Sequence, residues 1–426
     1  MNDLPLFVLD DVLFRLELKS LAMMRCTNKF FQSYISNDSD FQIAYFAMYK
    51  IEPIMFHLDS CGDHYIFCYP LGSSCDSTSY GRKNRIGIRN RLYIFGSCSG
   101  LLLLYINGLF VANPLTKTYR ILDHSGSKLI PRIVDGLNLS DPFLHMERAM
   151  CVGFAVNRNQ TTKRFKIVGI LEMETVYGFE INDGDSWRLS ETSITTSTKS
   201  DLTTNMKHVY LDGTLHWLRN DGSIIAFDSE TEQARLIPSI FHRKQDMKLL
   251  FATDDKISRL TLISGTEETI SVYTLVENSK WTLSRQINIV SMEGNIIVRL
   301  SPETQKLGGD WEDLFRIHWN MVAYDGKFLV VREMRRITSR GLVHLYDMEA
   351  NSWRILGSIW CGYGDIRNFY KFTPSLLSVE KDEQTKVLIA SDDQRIPYLT
   401  EVMGLIDTTM GSGIGPNVVS NIVTIY

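Results

Sequence analysis

The sequence predicts an α+β chain in two parts. A small N-terminal three-helix module is followed by a large all-β, propeller-like domain of antiparallel four-stranded meanders. Three observations predict this. Apolar residues recur at helical spacing in the first fifty residues. Beyond them, period-two runs alternate with Asp-Gly and Asn-Gly turns. A short closing-strand signature then repeats along the β part. The parts are residues 1–50 for the helical module, 51–92 for a connecting segment with the first β elements, and 93–426 for the β domain.

In the module, Val8, Leu9, Val12, Leu13 and Leu16 lay one apolar stripe on a first helix. Pro5 suits its first turn, where the missing N–H costs nothing. Ser20 and Thr27 stand where N-caps start two further short helices, one carrying Leu21, Met24 and Arg25, the other Phe30, Phe31, Tyr34 and Ile35. Phe14 lies off the stripe, so packing on its own chain would leave it exposed and docking on a partner could cover it. Three short helices bury too little surface to stand alone. The module therefore needs a partner, either the rest of the chain or another protein.

The clearest meander runs from His208 to Pro238. Val209–Leu211 meets the Asp212-Gly213 turn, Thr214–Leu218 follows, and Asn220-Asp221-Gly222 turns into Ser223–Phe227. A polar stretch then leads to Ala234–Ile237. The same grammar recurs from Met321 to Leu356, and in part from Leu101 to Leu122 with turns at Asn107-Gly108 and Asn113-Pro114. Each closing strand carries a related dipeptide: Tyr119-Arg120, Trp187-Arg188, Ala234-Arg235, Trp281-Thr282 and Trp353-Arg354. The middle three are spaced 47 residues apart and the outer gaps are 68 and 72. Four strands per 40–50 residues is propeller-blade spacing, with a stacked β-sandwich pair as the competing architecture. The wider gaps call for insertions or an unmarked blade boundary. Helix is nearly absent beyond residue 60, and the Ser/Thr-rich stretch at 192–204 reads as a mobile connection.

Composition narrows the function classes. The chain of 426 residues is 44% hydrophobic and 22% charged, with a net charge of −4 that gives no global field for nucleic acid or a membrane surface. The apolar run Leu101–Ile106 is far too short to span a bilayer. Asp3, Asp10 and Asp11 argue against a secretory leader, and seven irregularly spread cysteines read as reduced thiols, which fits nucleus or cytoplasm. Two basic clusters, Arg82–Arg91 and Arg332–Arg340, read as solvated loops rather than an anionic-ligand site.

No constellation carries enzyme chemistry. Gly96-Ser97-Cys98-Ser99-Gly100 has the form of a nucleophile elbow, but a strand follows it where the elbow needs a helix. His57, Cys61, His64, Cys68 and Cys75 have spacings a zinc site could use, yet Gly62-Asp63 and Tyr65-Ile66-Phe67 break a single helical face. Gly411–Gly415 lacks the strand-loop-helix context of a phosphate cradle. Asp254-Asp255 and Asp392-Asp393 read as loop tips. The expectation is no catalytic residue, no metal and no cofactor.

Leu4-Pro5, Val8-Leu9, Val12-Leu13, Arg15-Leu16, Lys19-Ser20-Leu21, Arg25-Cys26, Lys29 and Phe31 resemble an F-box, in register and without a gap. The sequence departs from that pattern at Glu17 for proline, Thr27 for valine, Asn28 for cysteine and Phe31 for tryptophan. The remainder resembles the F-box-associated domain of plant F-box proteins. Gly96-Ser97-Cys98-Ser99-Gly100-Leu101-Leu102, Asn113-Pro114 through Tyr119-Arg120, Gly153-Phe154, Lys166–Val168, Ser186-Trp187-Arg188, Asp212–Trp217 and Ile225–Asp228 follow in that family's order.

The resemblance implies a non-catalytic substrate receptor of an SCF-type cullin-RING ubiquitin ligase. The module would dock on a Skp-type adaptor, and through it a cullin, using Leu4, Pro5, Val8, Leu9, Val12, Leu13, Leu16, Lys19, Leu21, Met24 and Phe31. The β domain would hold an unknown target protein. The competing reading is a propeller-like interaction or ligand-binding protein whose diverged F-box no longer engages the ligase.

Overall fold

The computed structural model describes residues 5–25, 27–48, 53–59, 64–71, 85–88, 92–137, 149–156, 165–173, 175–196, 202–203, 206–239, 241, 247–254, 257–266, 269–276, 280–288, 317–335, 341–359, 369–377, 379, 399 and 402–404. The chain opens with four helices rather than three: α1 (Leu6–Leu13), α2 (Leu18–Met24), α3 (Lys29–Asn37) and α4 (Ser39–Met48). Their starts also differ from expectation. Helix α2 begins after Glu17, and α3 is capped by Asn28, whose side-chain oxygen accepts from Phe31 N at 2.9 Å. Asp38 serves α4 in the same way, accepting from Phe41 N at 2.9 Å. The run Asn37 to Asp40 thus ends one helix and starts the next without glycine or proline.

The helices meet over aromatic rings. Phe14 stacks on Phe41 at 5.3 Å, and Tyr45 donates to Leu16 O at 2.8 Å. Phe14 is therefore covered by the chain's own α4, and its position off the stripe does not require an outside partner.

Six antiparallel sheets follow among the described residues. Blade 1 holds β1 (Ile54–Asp59), β2 (His64–Pro70) and β3 (Arg85–Ile88). Blade 2 holds β4 (Tyr93–Cys98), β5 (Leu101–Tyr105), β6 (Leu109–Asn113) and β7 (Thr118–Leu122), and α5 (Ile130–Leu137) comes after it. Blade 3 holds β8 (Val152–Val156), β9 (Phe165–Met173), β10 (Val176–Asn182), β11 (Trp187–Leu189) and a short β12 (Ile194–Thr195) on β10. Blade 4 holds β13 (Val209–Leu211), β14 (Thr214–Leu218), β15 (Ile224–Asp228) and β16 (Ala234–Ile237). Blade 5 holds β17 (Lys248–Asp254), β18 (Arg259–Gly265), β19 (Thr269–Val276) and β20 (Lys280–Asn288). Blade 6 holds β21 (Ile317–Tyr324), β22 (Phe328–Arg335), β23 (Gly341–Asp347) and β24 (Ser352–Ile359).

The last strand, β25 (Phe369–Phe372), pairs with β1, so blade 1 combines both ends of the propeller and closes the ring. The stretch 51–92 thus supplies three strands of a blade. A ring of six sheets replaces the sandwich alternative. Helix α5 sits in the 68-residue gap and residues 289–316, outside the described set, lie in the 72-residue gap. Thr196, part of the expected mobile connection, is instead buried and donates from its backbone to Thr175 O at 2.9 Å.

All five closing dipeptides fall on fourth strands, and four of those strands carry an arginine that reaches the next blade. Arg120 pairs with Asp185 at 2.8 Å, and Arg188 with Glu232 at 2.5 Å. Arg285 donates to Met348 O at 2.5 Å and Arg354 to Leu71 O. The ring is held by apolar faces between sheets and by these outer clasps.

Candidate functional site

The described residues offer two surfaces with functional potential, the solvent face of the helical module and the axial cavity. Nine large hydrophobic side chains are exposed among the described residues, and six stand in the module: Leu6, Phe7, Val12, Met23, Phe30 and Met48. Phe7 is 69% exposed and Val12 53%. Such concentration in 43 residues (Leu6 to Met48) makes the module a candidate interaction surface.

The same helices bury their other side. Leu9, Leu13, Leu18, Leu21, Phe31 and Ile35 share one apolar core with blade residues such as Phe56, Leu102 and Phe110. Of the residues the F-box resemblance points to, Leu9, Leu13, Leu21 and Phe31 are thus taken up by the chain's own core. Val8, Leu16 and Met24 are half-buried, Pro5, Val12 and Lys19 are exposed, and Leu4 lies outside the described residues. Leu6, Phe7, Met23 and Met48 were not named from the sequence, and Phe30 was named only as part of the third helix; Leu6 and Phe7 are apolar positions off the α1 stripe. Tyr34 donates to Asp10 at 2.6 Å, tying α3 to α1, and burial together with that bond pushes its phenol up.

The axial cavity has a volume of about 770 Å³, with Cys98, Lys207, His208, Asp212, Tyr324 and Lys371 among its walls. Burial, helped by the Lys207 ammonium, lowers His208 to about 4. The neutral ring accepts from Phe154 N at 3.2 Å through Nε2, which makes it a packing element of the wall. Cys98 is buried, and Ser99 and Gly100 behind it have φ of +50° and +79°. That is a two-residue hairpin turn into β5, so no elbow forms. A Cβ on Gly100 would lie 2.2 Å from Ser375 Oγ, so both conformation and space demand glycine here.

The other candidates separate. Phe56 pairs with Cys68 and His57 with Phe67, so His57 and Cys68 point to opposite faces of blade 1. Cys61 and Cys75 lie outside the described residues, as do Gly411–Gly415, Asp255, Asp392 and Asp393. Asp254 ends β17 and accepts from Tyr324 Oη at 3.4 Å. Arg332 is a correction: it is fully buried in β22, because that strand continues through it and turns position 332 into the blade rather than into solvent. Arg336 and Arg340 lie outside the described residues, as do Arg82, Lys83, Arg89 and Arg91.

Residues 76–303 match the model of the F-box associated beta propeller domain. A protein of Arabidopsis thaliana named as an F-box/kelch-repeat protein is 60% identical over 419 residues, 96% of each chain. The chain belongs to the plant F-box proteins with an F-box-associated β-propeller. A second Arabidopsis F-box protein is 62% identical over 296 residues, 69% of this chain and 95% of its own length. Among solved structures this F-box protein is similar to Aleuria aurantia lectin at 10% identity and a TM-score of 0.34, over 73% of this chain and 96% of the lectin. The blade count rests on the F-box protein's own sheets. Family membership accounts for the Gly96–Gly100 and Asn113–Arg120 motifs as structural elements, a hairpin turn and a closing strand.

Proposed function

We propose that this F-box protein is the substrate receptor of an SCF-type cullin-RING ubiquitin ligase, acting in nucleus or cytoplasm. The helical module docks on a Skp-type adaptor that leads to a cullin, and the propeller holds a target protein. The reaction belongs to other subunits, and the receptor's part is to fix the target beside them. The observation that carries this reading is the split character of the module. One side of its helices is buried in a core shared with the blades, while Leu6, Phe7, Val12, Met23 and Phe30 remain open to water. Membership of the F-box family gives that open side its partner class.

The test is co-purification of the full chain with a Skp-type adaptor. Wild type should retain the adaptor, and Phe7→Asp and Val12→Asp should lose it while keeping the fold, because both positions are exposed. A wild-type chain that fails to retain any Skp-type adaptor overturns the proposal. It would favour an interaction protein that no longer engages the ligase.

A further inference from the structure

We propose that Leu399, Val402 and Met403 form a clamp that fixes the helical module to blade 2, so that the helices and the propeller move as one body. These three residues lie some 350 positions from the helices, yet all are buried in the same core as Leu9, Leu13, Leu21 and Phe31 of the helices and Leu102, Leu104, Phe110 and Leu115 of blade 2. The placement of the helices on the propeller therefore rests on packing in this shared core, and the C-terminal residues contribute apolar surface to it.

The polar contacts show the same path. After β25 the chain runs along the β6–β7 turn of blade 2, where Asn113 Nδ2 donates to Ser375 O and Leu377 O, and Val379 N donates to Thr118 Oγ1 at 3.1 Å. The chain then returns to this same turn, and Lys117 Nζ donates to Met403 O. One six-residue turn, 113–118, is thus gripped twice by the C-terminal chain. The first grip belongs to ring closure. The second lies beyond β25, which already pairs with β1, and it joins the turn to Met403, a member of the core that the helices share with blade 2.

The consequence for function rests on the receptor reading: a receptor that holds adaptor and target at a fixed separation needs a rigid junction between the two surfaces. The clamp itself does not depend on an adaptor. The test is amide hydrogen exchange on the full chain without any partner, comparing wild type with Val402→Asp and Lys117→Met. In Val402→Asp, protection in α1, α2 and α3 should fall by about tenfold or more, with β13–β16 and β17–β20 unchanged. Lys117→Met should lower protection in the same helices by a smaller factor. It leaves every buried apolar residue in place and decides the matter if Val402→Asp does not fold. Helices as protected in Lys117→Met as in wild type, or equal losses across the propeller strands, would overturn the clamp. Adaptor retention by wild type is measured separately, so loss of the receptor reading and loss of the clamp are distinguishable.

Discussion

Asn113 donates both hydrogens of its side-chain amide to backbone carbonyls more than 260 residues downstream, Ser375 O at 2.9 Å and Leu377 O at 2.6 Å. Its oxygen meanwhile accepts from Leu115 N at 2.9 Å, so one fully buried side chain both shapes the β6–β7 turn and ties down the chain that closes the ring. Asparagine is required because the site needs two donors and an acceptor on one short side chain. Asn113→Ala should therefore cost roughly 2–3 kcal/mol, the penalty of leaving buried carbonyls and an amide unsatisfied. Asn113→Asp should be at least as costly, since it turns an oxygen toward two carbonyls. Urea unfolding midpoints of the full chain check both.

Glu232 connects blades 3 and 4. The Arg188 fork donates to both of its oxygens, at 2.8 and 2.5 Å, and Lys166 Nζ adds a third bond at 2.7 Å. The Arg188 bonds, opposed by desolvation and aided by Lys166, hold the carboxyl down at about 2 against an ordinary 4.5. A depressed carboxyl contributes stability that is complete above its unfolded value and is lost as pH falls toward the folded one. The window is therefore pH 4.5 down to 2. Thermal midpoints of Glu232→Gln should fall less steeply than wild type across that window and should lie below wild type at neutral pH. Equal slopes would mean the clasp contributes nothing.

Much of this fold was legible in sequence, and where it was not the reasons are physical. Blade 4 follows the sequence almost residue for residue, because Asp212-Gly213 adopts φ of +46° and +80° and each strand pairs with its sequence neighbour. Blade 1 carries no such signal: its inner strand comes from Phe369–Phe372 and its others from residues 54–88, so no local period spans it. Helix α4 was hidden because Asp38 caps it directly after α3 without a breaking residue. On the candidate surface, the apolar stripe identified the buried Leu9 and Leu13 and missed Phe7. A stripe reports which side is apolar, and a helix apolar on both sides needs the fold to say which side is already covered.

Two histidines, His208 half-buried in the cavity wall and His216 buried, set a second pH window. Burial lowers His208 and His216 to about 4 from 6.5, with the Lys207 ammonium adding to the effect at His208. The unfolded chain binds protons at these positions before the folded one does, so stability falls as pH drops from 6.5 to 4. Each group can account for at most about 3 kcal/mol of that loss. His208→Gln keeps an acceptor for Phe154 N and cannot titrate. Its unfolding midpoint should change less than that of wild type between pH 6.5 and 4, and a parallel curve would remove His208 from the account.

Adjacent positions on α1 should separate stability from binding. Leu13 is fully buried in the core shared with the blades, whereas Val12 beside it is 53% exposed. Leu13→Ala removes buried methyl groups and leaves a cavity, a loss of about 2–5 kcal/mol. Val12→Ala trims a side chain that is more than half in water and should shift stability by less than about 0.5 kcal/mol. Adaptor affinity should reverse the order once stability is taken into account. Val12→Ala removes apolar area from the open face, so binding should weaken in a chain whose unfolding midpoint has not moved. Leu13→Ala, assayed well below its unfolding midpoint, should bind nearly as wild type does. Calorimetric unfolding and adaptor titration on the same two variants check the pair. Unchanged affinity in Val12→Ala would take the open side of α1 out of the docking surface.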